Sequence, residues 1–479
     1  MLGLDAAERA RVQHGIAQGK LPALAQLEAR GLFRELHSPA GAYAGGVWPS
    51  FYTGEQVADH GVFHNKLWRP ETMRVEVPSG DWIDSRPLWE APAHRDLEAC
   101  VVDVPMLLAR PQVATGLSGW ATHDQLYRGS EPAGLWDELE RRHGPPAMPP
   151  EAYGRQSPAS LRTLVAGLER ATAQLERIAR ELLRERPWRF ACAVFGATHR
   201  AGHYLWEASP EADAELGRLY AGLDAALGRI VAEVGEDTLV VAFAVHGMAP
   251  NPGWSDLFPE ILERLAAAAG EERPRRGLLY RLRRGLPFHW VRPLLARLPD
   301  GVDDALVKLW SQGMFDWSRT RWFPVPMDEA GYLRVNLRGR EARGVVSPED
   351  YESVCDGLAH WVASLRDADS GEPIAAEPLR AWRDADPAAR HRDLLPDLVI
   401  PWREKRAAQV ARLVSTALPA FDYAVPRQLP SGRSGNHSDR AWLLAAGPGA
   451  EALGGVGEVC ELLPAVLDLL GPPARGQGA

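Results

Sequence analysis

Five side chains able to bind a metal stand at the ends of short apolar runs in this chain, and that placement restricts the folds open to it. Asp5 closes Met1-Leu-Gly-Leu-Asp5, His199 and His203 follow Phe190-Ala-Cys-Ala-Val-Phe195, and His246 follows Thr238-Leu-Val-Val-Ala-Phe-Ala-Val245. His437 lies in Ser434-Gly-Asn-His437, just before Ala441-Trp-Leu-Leu-Ala-Ala-Gly447. Apolar runs of this length read as buried strands, with Glu98–Val104, Tyr332–Arg338 and Pro396–Pro401 as further examples. Between them, residues 6–18, 21–27, 160–185 and 212–234 repeat their apolar positions at helical spacing. Strand and helix in alternation imply an α/β/α sandwich: a central, mostly parallel sheet with helices on both faces. Open sheets of that kind place their sites at the carboxyl ends of the strands, where these five residues fall.

Composition narrows the class further. Hydrophobic content of 46% fits a globular chain, and 479 residues suffice for more than one core. A net charge of −9 gives no nucleic-acid footprint. The four cysteines (Cys100, Cys192, Cys355, Cys460) form no CxxC pair, which points to reduced thiols and a cytoplasmic setting. No apolar run reaches 18 residues, so no membrane span is expected. The first strand is short for a central one: either the natural start lies upstream of Met1 or this strand is unusually short. Residues 255–325 break the alternation: eight Arg and no acid fall between Arg273 and Arg297, mixed with Leu, Tyr, Phe and Trp. This reads as an inserted helical, Arg-rich cap, leaving 1–254 and 326–479 as the α/β core. Its basic side either attracts anions or is simply solvated.

The order of several short motifs resembles the alkaline phosphatase superfamily, and within it the type I phosphodiesterase/nucleotide pyrophosphatase group. The resemblance rests on Gly3-Leu-Asp5, Gly19-Lys-Leu-Pro-Ala-Leu-Ala-Gln-Leu27, Val47-Trp-Pro-Ser-Phe-Tyr-Thr53-Gly54, Asp59-His60-Gly61 and Val102-Asp-Val-Pro105. It continues through His199-xxx-His203, His246-Gly-Met248, Asn336-Leu-Arg-Gly-Arg-Glu341, Pro396-Asp-Leu398 and Gly435-Asn-His437, and so covers nearly the whole chain. It implies an alkaline phosphatase-like fold and two metal ions, usually zinc, beside a Ser or Thr nucleophile. By position, Asp5 and His246 match ligands of one ion, and His203 and His437 match ligands of the other.

Three positions depart from that pattern: Ala44 stands where the nucleophile belongs, Val245 replaces an Asp ligand, and His199 replaces another. Ala44 cannot be phosphorylated and Val245 cannot bind a metal. A histidine-rich set with fewer carboxylates suits one ion rather than two: zinc first, iron or another transition metal as the alternative. The expected function is therefore metal-dependent hydrolysis of phosphate or related anionic esters of a small substrate, by metal-bound water rather than a covalent phospho-enzyme. A repurposed non-hydrolytic metalloenzyme and a catalytically inactive relative remain as alternatives. The metal ligands expected are Asp5, His199, His203, His246 and His437. Tyr43, beside the vacant position, and the pair His123 and Asp124 are candidates for acid–base work. Ser50 and Thr53 carry nearby hydroxyls on the helix behind Ala44, and His60 before Gly61 reads as a structural turn residue.

Overall fold

The computed structural model describes residues 1–94, 96–122, 125–150, 152, 154–271, 315–325 and 330–471. The chain divides into two compact units, one of residues 1–65, 79–251 and 430–479, the other of residues 66–78 and 252–429.

The first unit is built on an eight-stranded sheet. From edge to edge the order is Gly31–His37, Arg440–Ala446, Val240–Ala244, Leu2–Leu4, Phe190–Phe195, Ala99–Val102, Thr115–Ser118 and Gly129–Glu131. The five strands from Val240–Ala244 to Thr115–Ser118 are mutually parallel. Arg440–Ala446 runs against both of its neighbours, and Gly129–Glu131 closes the far edge antiparallel. Parallel neighbours need long crossovers, which the helices Pro158–Glu185 and Pro210–Val231 supply ahead of Phe190 and Val240. The first of these is started by Ser157, whose hydroxyl accepts the Ser160 amide, and by Pro158 in the opening turn.

Alternate residues of the central strands face opposite ways. Leu2, Leu4, Ala242, Ala244 and Trp442 pack with Leu168, Leu175, Leu223 and Leu227 in one core. Phe243 faces the other way, its ring 4.8 Å from Phe51 and 5.9 Å from Trp48 on the helix Val47–Thr53. Helices thus cover both faces, in the α/β/α arrangement that the alternation implied. The edge strand Gly31–His37 has no counterpart in the sequence reading. Leu36 is its one buried side chain, so it carries no apolar pattern and forms only because Arg440–Ala446 offers a ladder. The first helix begins at Arg9 rather than at residue 6, because Asp5–Glu8 turn off the strand end instead of entering the helix. An apolar cavity of about 210 Å³ lies at the opposite, amino-terminal ends of the strands, lined by Leu2, Cys100, Phe190, Cys192 and Val240 among others, far from any of the five candidate ligands.

The second unit has its own core around Trp254, Leu333, Leu358, Leu398 and Leu413. One of its two three-stranded sheets joins Trp322–Val325, Gly331–Val335 and Leu398–Ile400, the other Leu365–Asp367, Arg412–Ser415 and Asp422–Ala424. Of the expected cap, residues 255–268 lie in the helix Trp254–Ala268 and 322–325 in the first of these sheets, while 272–314 lie outside the described residues. The motif Asn336–Glu341 and Asp397 build a buried ion lattice. Arg340 meets Asp397 through two bonds of 2.8 and 2.7 Å, and Tyr351 and the Val335 amide donate to the same carboxylate. Arg334 is fully buried, pairs with Glu341 and donates to the carbonyls of Asp393, Leu394 and Leu395. The indole of Trp68 closes the set on Glu341 at 2.8 Å. These motif residues act in packing, not in chemistry.

All four cysteines are free thiols. Burial pushes the Cys100 thiol up to about 12 and that of Cys192 to about 11, and burial leads likewise at Cys355 and Cys460, each near 12. Thiolate is the reactive form. The folded protein is therefore expected to give well under one equivalent with an aromatic disulfide reagent at pH 8 within minutes, and all four after guanidinium unfolding. Fast reaction of the folded protein would contradict this packing. No helix among the described residues is long and apolar enough to cross a membrane.

Candidate metal centre

The first unit gathers the candidate ligands at the carboxyl ends of its central strands. Asp5 follows Leu2–Leu4, with its amide bonded to the Phe195 carbonyl at 3.0 Å and its carbonyl held by Thr198 Oγ1 at 2.6 Å. His199 and His203 lie one turn apart on the helix Ala197–Leu205 that follows Phe190–Phe195, so both rings leave the same face. His246 follows Val240–Ala244. The chain then pairs Gly247–Pro250 antiparallel with Gly435–Ser438, with Met248 opposite His437. This ribbon passes hard against the histidine helix. A Cβ on Gly435 would fall 2.3 Å from the Gly202 carbonyl oxygen, so only glycine permits the approach that brings Gly435 O within 3.1 Å of His203 Nδ1.

The rings converge. His199 Nε2 is 2.8 Å from His437 Nε2 and 3.1 Å from His203 Nε2. One nitrogen from each of His199, His246 and His437 also falls within a 4.8 Å set. His203 approaches this set through His199, and its ring centroid is 4.9 Å from that of His437. Asp5, His203 and His246 are each 1% exposed and His199 is 6%, so water screens little of this.

Hydrogen-bond partners fix the tautomers. A carboxylate oxygen and a peptide oxygen only accept. His199 Nδ1 therefore donates to Asp5 Oδ2 at 2.7 Å, and His203 Nδ1 donates to Gly435 O. The two Nε2 atoms then face each other at 3.1 Å. A proton shared between the two nitrogens or a cation bound by both accounts for so short a contact. Tetrahedral zinc with bonds of about 2.0–2.1 Å to nitrogen sets its ligands about 3.3 Å apart, close to the spacing found here. An Nδ1–H held by a carboxylate or peptide oxygen is also how metal-binding histidines are oriented. The donor set fits a borderline transition ion.

Asp5 organises the set from one side. Burial alone would raise its carboxyl, but His199 and His246 outweigh that and hold it well below the usual carboxylate range. Its second oxygen takes the Trp48 indole hydrogen at 2.9 Å and lies 3.3 Å from His246 Nε2. His246 Nδ1 is 3.1 Å from Gly247 O.

Other sequence candidates fall elsewhere. Ala44 is buried and Val245 is fully buried, so neither position offers a hydroxyl or a carboxylate. Tyr43 packs its ring on Phe63, with centroids 5.8 Å apart, and its hydroxyl bonds to none of the five ligands. Burial holds that hydroxyl protonated. His123 and Asp124 lie outside the described residues. His60 Nδ1 accepts the Val62 amide at 3.1 Å, so its Nε2 carries the hydrogen and donates to Ser50 Oγ at 2.9 Å. That polarity is wrong for a base activating Ser50. Thr53 donates to the Pro49 carbonyl within its own helix. Two residues beside the site escaped the sequence reading: Trp48, inside a motif read as helix, and Glu8, whose only signal is its spacing three residues after Asp5.

Comparisons with known proteins agree with this architecture. Phosphonoacetate hydrolase from Sinorhizobium meliloti 1021, solved with phosphonoformate and again with phosphonoacetate, superposes with a TM-score of 0.52 at 16% identity, covering 97% of this chain and 94% of the other. A murine ectonucleotide pyrophosphatase/phosphodiesterase, an inactive variant in complex with AMP, gives 0.49 at 12% identity over 100% and 96% of the two chains. No curated protein matches the chain in sequence. Residues 1–409 match the family described as type I phosphodiesterase / nucleotide pyrophosphatase, which takes in both units and four of the five converging ligands. On that match the chain belongs to the type I phosphodiesterase/nucleotide pyrophosphatase family.

Proposed function

We propose that this chain is a metal-dependent hydrolase of phosphate or related anionic esters, working through one ion held by His199, His203 and His437. The observation that carries the reading is the convergence of three ring nitrogens, with His199 Nε2 3.1 Å from His203 Nε2 and 2.8 Å from His437 Nε2. When bound, such an ion supplies Lewis acidity and lowers the pKa of water to about 7. The protein's own residues do the rest. Asp5 sets the tautomer and tilt of His199, and Trp48 anchors Asp5. Ala44 offers no oxygen to a phosphoryl group, so hydrolysis here proceeds without a covalent enzyme intermediate. His246, whose Nε2 is 3.3 Å from Asp5 Oδ1, offers a further nitrogen to the same ion, in a set with His199 and His437. Zinc is the proposed ion on donor chemistry, since neutral imidazoles with few carboxylates favour it over magnesium or calcium.

Elemental analysis of the purified protein tests this directly. About one equivalent of zinc is expected, removable by a chelator together with turnover of a phosphodiester, phosphomonoester and phosphonate panel, and restored by adding zinc back. Iron or copper at that level would overturn the zinc assignment. A zinc-loaded protein that hydrolyses nothing in the panel would overturn the hydrolase reading.

A further inference from the structure

We propose that Glu8 is a positioning residue of this centre, a carboxylate clamp that locks the ribbon carrying His246 and His437. The inference rests on the metal reading above for its consequence, and on separate geometry for its cause. Glu8 is 5% exposed. Its Oε2 accepts the Met248 amide at 3.2 Å from one strand of the ribbon and the Ser438 hydroxyl at 3.3 Å from the other. Met248 is two residues from His246 and pairs with His437, and Ser438 follows His437 directly. One oxygen thus bridges both strands at the level of both rings. The ribbon has only four residues on each strand and is a two-stranded sheet, an arrangement of marginal stability by itself. Something else has to hold its register, and the clamp does.

Gly247 shows how tightly the clamp is built. A Cβ there would sit 2.2 Å from Glu8 Oε2 and 2.7 Å from Ser438 Oγ, so any other residue at 247 expels the carboxylate. The far end of Glu8 is fixed as well. Its amide donates to the Tyr220 hydroxyl at 2.9 Å, and its Oε1 caps the helix Arg9–Ala17 through the Ala10 amide. The turn Asp5–Glu8 therefore serves the centre twice. Asp5 touches the rings of His199 and His246, while Glu8 touches only the backbone and hydroxyl that carry His246 and His437. A glutamine at position 8 keeps a carbonyl oxygen for Met248 and Ser438. An alanine keeps nothing.

The test uses the full chain as wild type, Glu8→Gln and Glu8→Ala. Zinc affinity is read by competition with a chromophoric chelator, and the histidine ring signals of the metal-free proteins are read by NMR with ring-labelled histidine. Loss of an outer partner of metal-binding histidines typically weakens metal binding about 10–100-fold. Glu8→Ala is expected to weaken zinc binding in that range and to displace the His246 and His437 signals in metal-free protein, while Glu8→Gln restores both most of the way. If Glu8→Ala lowers Tm but leaves zinc affinity and ring signals as in wild type, Glu8 is a helix cap and the proposal is wrong. If wild type binds no zinc, the metal reading fails by itself, and the ring signals of the metal-free variants still decide the clamp. Should Glu8→Ala not fold, Ser438→Ala, which removes one of the two ribbon contacts of Oε2 and leaves the Oε1 cap on Ala10 in place, must displace the His437 signal and weaken zinc binding or the clamp is excluded.

Discussion

His203→Ala is expected to lose zinc affinity by at least about a hundredfold and to reduce ester hydrolysis to background. An outer partner of a ligand is typically worth about 10–100-fold, and His203 is proposed as a ligand itself. Its Nδ1 is 3.1 Å from Gly435 O, and its Nε2 is 3.1 Å from His199 Nε2. Removing the ring takes away a nitrogen 3.1 Å from His199 Nε2 and leaves His246 as the third nitrogen, in a set spread over as much as 4.8 Å. The loss should not come from unfolding. The helix Ala197–Leu205 tolerates alanine well. Circular dichroism should match wild type while elemental analysis shows the metal gone. His143→Ala is the matched control, because that ring is bonded to Glu181 at 2.8 Å on a distant helix pair. A His203→Ala protein that keeps its zinc and its turnover would remove His203 from the centre.

Asp397→Ala is expected to destabilise the second unit by about 3–5 kcal/mol, the range for breaking one side of a buried pair, and to lower its Tm by on the order of 10 °C. Asp397 is fully buried and receives two bonds from Arg340, one from Tyr351 and one from the Val335 amide. Without it, Arg340, whose side chain is 4% exposed, keeps a buried charge beside Arg334 with only Glu341 left to share. Burial would raise the Asp397 carboxyl, but Arg340 and Arg334 hold it below its usual value. A depressed folded pKa stabilises above the unfolded carboxylate value of about 3.9, and that stability is lost as pH falls through the folded value. The wild-type second unit should accordingly lose stability below about pH 4, and Asp397→Ala should flatten that dependence. Arg412→Ala, which removes an exposed partner of Asp422, should change Tm by little. Equal Tm for Asp397→Ala and wild type would mean the lattice is not structural.

The contrast between these two sites explains what could be read in advance. Phe190–Phe195 and Leu443–Ala446 announced themselves because they are buried and apolar, whereas the equally buried Thr115–Ser118, with polar residues at both ends, did not. The strand Gly31–His37 did not, since it is paired on one side and mostly exposed, so no pattern marks it. The candidate ligands stood out as histidines at strand ends. Ser50 and His60, close in sequence to the vacant position, could be judged only from geometry, where the Val62 amide fixes His60 as donor. Arg334, Arg340, Glu341 and Asp397 looked like family motifs without a stated role; their burial shows them to be a structural lattice.

By itself, the sequence determined the alternation of strands and helices, and with it the carboxyl-end edge on which Asp5, His199, His203 and His246 had to fall. It also determined that Ala44 and Val245 remove a nucleophile and a carboxylate, because no fold can give a methyl or isopropyl group those chemistries. Only the tertiary structure decided which ring nitrogens face one another. That depends on hydrogen bonds between residues 194 or more apart in the chain, Asp5 to His199 and His203 to Gly435. It depends as well on a glycine, Gly435, that lets the ribbon reach the histidine helix. Periodicity reports which face of an element is buried. Tautomer, lone-pair direction and clamp contacts such as Glu8 to Met248 and Ser438 are set at 3 Å between segments distant in sequence, where no local pattern registers them.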